Sequence, residues 1–593
     1  MKKRFIPLCV LAGAMTFSGC SLNKMAKLAK EQQLTVTPNP LEVHADQVDF
    51  EMSAVLPQKM MKKNLNYVID PAYKYGNKKE KLQSVTVKGN DYPDASVQPK
   101  VSEKFSFPYK QNMGNGDLVI TGRAVDSRSG NEKVAMEDFA IAKGLITTST
   151  LVEKVASPVF ANHGYNDQEE LIPTYAEFFF PQGSPYLNVR SSANRNQSKA
   201  LKAFVAEKNV TRTVIITGTH SPEGSERVNS NLSEKRAAAV EREYRKLMKR
   251  YDYKGTADKI DFILKPVVDN WTQFKTALAD FDKLSQAQKN EALRIVNGAG
   301  TFEEKQNKLE KLPFYRTMFR GMYPSLRNAK TEVLTVKEKK TNAEIAVLAK
   351  QIANGTMKVD TLSKNEMLWA AHMTPSIKEK KRYYEILVKK SNDWTAHNNL
   401  SAVYMAEAEA GKHVNKLAEK AITEAELANK LHENPESYAN MAGAYLLQGN
   451  VAKAYEMISK ASSMNPDRYS AGNINATKGA IEVRLAKYEE AIATLSSATR
   501  TADNLFNKGL SQLLNKEYQN AAATLKEAAE LDKNFAKAYY VEAIALTRAG
   551  KTADAVRVLA KATQLNASLK EKAINDLEFA NIASEESFKN AVK

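Results

Sequence analysis

Four eight-residue stretches near the C-terminus share one skeleton: AYEMISKA (454–461), AIATLSSA (491–498), AAATLKEA (521–528) and AVRVLAKA (555–562). Each opens on alanine, sets Ile or Leu four residues on, and closes on alanine three further. The openings lie 37, 30 and 34 residues apart. Spacings of four and three put all three positions on one face of a helix. Twelve residues before each opening stands Ala442, Gly479, Gly509 or Ala543. A small residue at that fixed distance predicts a preceding helix that touches this one closely. A unit of this length cannot bury its apolar face alone, so its copies must stack.

The punctuation agrees with that reading. Gly449 and Gly550 fall at inter-helix turns, and Asn434-Pro435 and Asn465-Pro466 close repeats. Residues 397–404 (HNNLSAVY) read as the first helix of an earlier repeat, with about eight extra residues before Ala421. The pattern resembles the tetratricopeptide repeat family, with four regular repeats, one irregular one, and less regular helices from residue 338 onward. That resemblance implies an all-α solenoid over 338–593, whose groove holds a peptide or helix of a protein partner.

Upstream, strand-like and helix-like runs alternate. Residues 176–180 and 211–218 read as strands, 197–208 and the stretch from Ser233 as helices, and 259–264 and 328–336 as further strands. Between the second strand and its helix stand Gly218-Thr-His-Ser-Pro-Glu-Gly224, then Asn229, then Leu232-Ser-Glu-Lys-Arg236-Ala237. This spacing resembles the OmpA-like peptidoglycan-binding family over about 171–337, with a helical insertion at about 270–323. The resemblance implies an α/β sandwich whose loop grips the peptide stem of peptidoglycan. The family's arginine falls on Arg236, which implies a two-pronged contact with a ligand carboxylate. The family's aspartate is replaced by Ser221, so Glu223 or Glu226 would have to meet the ligand's ammonium. Asn229 completes the candidate site.

Residues 34–151 alternate with period two: Val48, Phe50 and Met52, Val85 and Val87, Phe105 and Phe107. Turn signals at Asn115-Gly116 and over 127–131 separate the runs. A small β-sandwich is the expectation. Ahead of it, Lys2, Lys3 and Arg4 precede thirteen largely apolar residues, too few to span a bilayer. Phe17-Ser18-Gly19-Cys20 then resembles a lipobox, which implies cleavage after residue 19 and a lipid anchor on Cys20. Residues 20–33 read as a polar tether.

Only two cysteines occur, Cys9 and Cys20, which excludes a disulfide framework or thiolate metal site beyond residue 20. The net charge of +18 favours acidic partners. An export leader directs that preference to peptidoglycan carboxylates, lipid phosphates or acidic proteins rather than nucleic acid. The seven histidines show no zinc spacing. No catalytic frame is evident: His220 and Ser221 are neighbours in one turn and lack an orienting acid. The reading is a multidomain outer-membrane lipoprotein facing the periplasm, with no cofactor, no metal and no enzymatic role. It would link the membrane to peptidoglycan and hold an envelope or secretion-machinery protein through its repeats. An adaptor without wall contact is the alternative; an enzyme with an unrecognised site is a further one.

Overall fold

The computed structural model describes residues 15–94, 96–251, 257–267, 270–411 and 413–593. The first fourteen residues of the expected leader, with Cys9, and the side chain of Cys20 lie outside what it describes. Among the described residues no helix is long and apolar enough to cross a membrane. The chain forms two compact units, Met1–Tyr165 with Asn342–Lys593, and Asn166–Thr341. The strand-rich region and the helical array, read separately from the sequence, therefore fold as one unit.

In that unit the helix α1 (Met15–Leu28) leads into the strands β1 (Gln33–Thr37), β2 (Leu41–His44), β3 (Gln47–Val55), β4 (Leu65–Tyr75), β5 (Lys78–Lys81), β6 (Val85–Lys88), β7 (Lys100–Pro108), β8 (Asp117–Asp126), β9 (Glu132–Lys143) and β10 (Leu145–Ile146). One sheet centres on β3, flanked by β7 and by β1 and β2; the other runs from β5 and β6 through β4 and β8 to β9. Their inward residues, including Val48, Phe50, Met52, Val87, Phe105 and Phe107, share one core, as the period of two predicts. The turn signal at 127–131 joins β8 to β9. Residues 20–33 depart from the expected tether. Leu22, Met25, Ala26 and Ala29 recur at helical spacing, and that stripe is buried in the sheet core. The polar residues between them hide the stripe from a composition reading.

Among the described residues, the helices Asn342–Ala353, Lys364–Met373 and Ile377–Ser391 lead into five successive helix pairs of the array: Trp394–Glu409 with Val414–Leu431, Pro435–Leu447 with Val451–Ser463, Ala471–Arg484 with Tyr488–Ser496, Ala502–Leu514 with Tyr518–Leu531, and Ala536–Arg548 with Thr552–Leu565. The extra residues before Ala421 lengthen both helices of the first pair, to 16 and 18 residues against 13 and 13 in the next. The close approach falls where the small residues stand. A Cβ on Gly479 would lie 2.3 Å from Cγ of Leu495, and one on Gly509 would lie 2.6 Å from Cγ of Leu525. The sandwich docks on the last pairs. Thr148 donates to Glu578 at 2.6 Å, Arg548 donates to the same carboxylate at 2.6 Å, and His44 meets the Tyr488 hydroxyl at 2.6 Å. Burial pushes the Glu578 carboxyl up despite the guanidinium beside it.

The second unit carries β11 (Leu171–Phe179), β12 (Thr211–Gly218), β13 (Asp261–Pro266) and β14 (Asn328–Val336) in the order β11-β14-β12-β13. The β12–β13 pair is parallel and β14 runs antiparallel to both its neighbours. Helices α2 (Arg195–Ala206) and α3 (Glu226–Arg250) supply Leu201, Val205, Ala237, Val240 and Tyr244 to the core against Val214, Ile216 and Val333. The helical insertion between β13 and β14 has a core of its own around Trp271, Phe274 and Tyr323.

Candidate functional site: a filled helical groove and a loop held by arginines

The first helices of the pairs are buried nearly all round, and polar residues are among the buried ones. Asn399, Asn440, Thr477 and Asn507 are each at most 2% exposed. The last three stand two residues before Ala442, Gly479 and Gly509. Aligning Tyr404 with Tyr445 puts Asn399 in register with Asn440. They form one ladder, a single repeat position that lines the inside of the array.

A buried amide left without partners costs about 1–3 kcal/mol. Here the partners come from the chain itself. Residues 152–165, between the sandwich and the second unit, run extended across the ladder. The Glu153 N–H donates to Asn507 Oδ1 at 2.8 Å, and Asn507 Nδ2 donates to the Glu153 carbonyl at 3.0 Å. Asn440 brackets Val159 in the same way, at 2.8 and 2.9 Å, and Asn399 brackets Ala161 at 2.7 and 3.2 Å. The Ser157 N–H donates to Thr477 Oγ1 at 3.1 Å. Asn473 and Asn365 donate to the carbonyls of Pro158 and Gly164. Val155, Ala156, Val159 and Ala161 are buried. Lys537 pairs with Glu153 at one end of this strap. At the other end His163 and Tyr165 pack on Trp369, ring centroids 4.6 and 5.7 Å away. The groove read from the sequence as a partner's site thus holds residues 152–165, which the sequence reading left unassigned.

In the second unit the candidate loop follows β12. Gly218 ends that strand against the backbone of α3, where a Cβ would strike the Ser233 carbonyl. Arg236 is 1% exposed. It donates through Nη1 to the Thr219 carbonyl at 2.8 Å, and through Nη2 and Nε to the carbonyls of Pro181 and Ser184 at 3.2 Å each. The guanidinium thus braces two loops from inside instead of facing a ligand, and burial pushes its pKa down to about 10. Asn229 is buried and donates to the Gly224 carbonyl at 3.2 Å, closing the loop. The His220 ring Nδ1 lies 2.9 Å from the carbonyl of Ser221, not from its hydroxyl.

Ser221 and Glu223 do come together, around a residue the sequence reading missed. Arg327, just before β14, donates through Nε to Ser221 Oγ and to Glu223 Oε1, both at 2.9 Å. Its Nη2 is 2.7 Å from the same carboxylate oxygen. Among the described residues, Glu223 Oε2 and the buried Tyr323 hydroxyl beside this group have no hydrogen-bond partner. Arg327 is the last residue before a strand, and no sequence signal marks it as a partner of a loop 106 residues earlier. Among the described residues no three His, Cys, Asp or Glu side chains are grouped to hold a metal.

Comparison with known proteins bears on the array. Residues 435–468 match the tetratricopeptide repeat family model. No curated protein matches the chain. Similar solved structures include MamA from Desulfovibrio magneticus RS-1, at 17% identity, covering 28% of this chain and 96% of that one, with a TM-score of 0.25. YrrB, described as a TPR protein with an unusual peptide-binding site, is 17% identical, with 34% and 98% coverage and a TM-score of 0.27. The C-terminal part of a TPR repeat-containing protein from Cytophaga hutchinsonii is 16% identical, with 36% and 87% coverage and a TM-score of 0.27.

Proposed function

We propose that the chain is a scaffold lipoprotein of the bacterial outer membrane. An acyl anchor on Cys20 holds it, and its helical array takes an extended segment of an envelope or secretion-machinery protein. The observation that carries this reading is the ladder of Asn399, Asn440 and Asn507, each of which reads both the N–H and the carbonyl of one extended residue. Main-chain recognition of this kind suits a groove for polypeptide. The repeat-family match over 435–468 supports it.

Cross-linking in cells tests the partner. Cross-links are expected within 394–565; a partner linked only through 34–151 or 166–341 would move the site off the array. Cys20→Ser is expected to release the protein from washed membranes, and retention there would place the anchor elsewhere.

The reading includes contact between the second unit and peptidoglycan, through the loop that resembles the OmpA-like family. A specific observation favours the adaptor alternative, in which that unit touches no cell wall. Arg236 is 1% exposed and donates to three carbonyls, and a cation, Arg327, stands beside Ser221 where an acid would meet an ammonium.

A further inference from the structure

The strap and the ladder fit each other at the level of single atoms. The ladder needs an N–H at four strap positions: 153, 157, 159 and 161. Proline, which has no N–H, stands at 158, where only the carbonyl is used, by Asn473. Side chains are selected at the buried positions. Ala156 is fully buried, its Cβ 3.5 Å from where a Cβ on Gly443 would stand. Val159 and Ala161 are 1% and 7% exposed, while the intervening Phe160 turns outward. The strap has no secondary structure of its own, and Lys154, Asn162 and Gly164 are exposed along it. What the groove reads is an extended main chain with small apolar side chains at four places, 155, 156, 159 and 161, which a segment of another protein can also offer.

We propose that residues 152–165 are a built-in ligand that keeps this groove shut, so that an extended peptide of the same pattern enters only in exchange for the strap. The inference rests on the reading of the array as a partner site and deepens it by naming the ligand pattern and the competitor. A tethered ligand competes at an effective concentration that reaches about millimolar for short flexible connections. A free peptide at micromolar concentration is therefore held out of the intact protein. Weakening the strap opens the groove, and the partner's segment must carry an amide N–H at the positions equivalent to 159 and 161.

The test uses the full chain and a fluorescent synthetic peptide with the sequence of residues 151–165. In a Val159→Pro, Ala161→Pro variant the strap loses the two amides that Asn440 and Asn399 accept. The unaltered chain is expected to bind the peptide at least about tenfold more weakly than this variant, since one lost hydrogen bond of typical strength is worth about that factor. Adding Asn440→Ala to the variant should abolish the gain. Equal binding by the unaltered chain, a natively helical variant that ignores the peptide, or a gain that survives Asn440→Ala would each overturn the proposal. Hydrogen exchange on the unaltered chain is independent of whether the variant folds. The peptic fragment spanning 152–165 should retain four slowly exchanging amides. Exchange of the whole fragment at the rate of an unstructured peptide would show the groove open and overturn the proposal as well. Neither readout depends on the cellular partner, so absence of cross-links on the array would fail the functional reading while leaving this one standing.

Discussion

Arg327 changes what the loop at Ser221 can hold. From the sequence, an aspartate at this position looks like a restored contact for a ligand ammonium. In the structure the new carboxylate would arise where Ser221 Oγ lies, 2.9 Å from the Arg327 Nε, and would pair with that guanidinium. Ser221→Asp is therefore expected to leave retention by purified sacculi within about twofold at moderate salt. An attraction that an internal cation already satisfies is not offered to a ligand, and moderate salt suppresses non-specific adhesion of a basic chain. Ser221→Asp combined with Arg327→Ala frees the acid and should raise retention above either single variant. Co-sedimentation of the chain beginning at Ser21 checks this. Equal retention by all variants would remove the loop from any wall contact. The residues of this site were legible as a set, since Ser221, Glu223, Asn229 and Arg236 do meet around one loop. Their roles were not, because Arg236 answers to carbonyls at 181, 184 and 219, and no local pattern announces those.

The helical pairs show which elements a sequence reveals. Their period, their turns and their small residues are local features, and the structure places all five pairs on them. Gly479 and Gly509 allow the sharpest test. Replacing a helical glycine by alanine normally gains about 1 kcal/mol in helix propensity. Here the added Cβ falls 2.3 Å from Cγ of Leu495, near the root of a packed side chain that cannot swing away. Overpacking of that kind costs about 1–3 kcal/mol, so Gly479→Ala should lower the thermal midpoint despite the better helix former. In a Leu495→Ala background, where the truncation leaves room for the methyl, the same Gly479→Ala change should cost much less than in the parent. A single variant more stable than the parent would mean that the two helices stand further apart than described. Residues 20–33 were misread because four apolar residues at helical spacing among lysines and glutamines look polar on average. The strap was not read at all. It lacks any periodicity, and its partners lie 201 to 384 residues further along the chain.

At the scale of the whole molecule, the second unit is an insertion. The chain leaves the first unit at Tyr165 and returns at Asn342. Both points are held at one side chain: Tyr165 stacks on Trp369, and Trp369 Nε1 donates to Asn342 Oδ1 at 2.9 Å. Exit and return are therefore neighbours, the arrangement in which inserted domains are tolerated. Replacing residues 166–341 by a short Gly-Ser linker should leave the first unit folded, with unchanged helical circular dichroism per remaining array residue and a single melting transition. Aggregation of that chain, or loss of the array signal, would show that the first unit needs the second.

The antiparallel lay of the strap also sets a timetable. Glu153 reaches the compartment where the chain folds early, yet its partner Asn507 follows 354 residues later. At about 5–20 residues per second that is a wait of roughly 20–70 s. The helix pairs, whose contacts are local, can form as they appear, beginning with the pair nearest Ala161. The strap can only be laid down progressively, from its Ala161 end towards Glu153. Until its own part of the groove exists, first Val159 and then, for longer, Val155 stays uncovered, and the emerging chain presents a sticky, extended segment of the kind that chaperones hold.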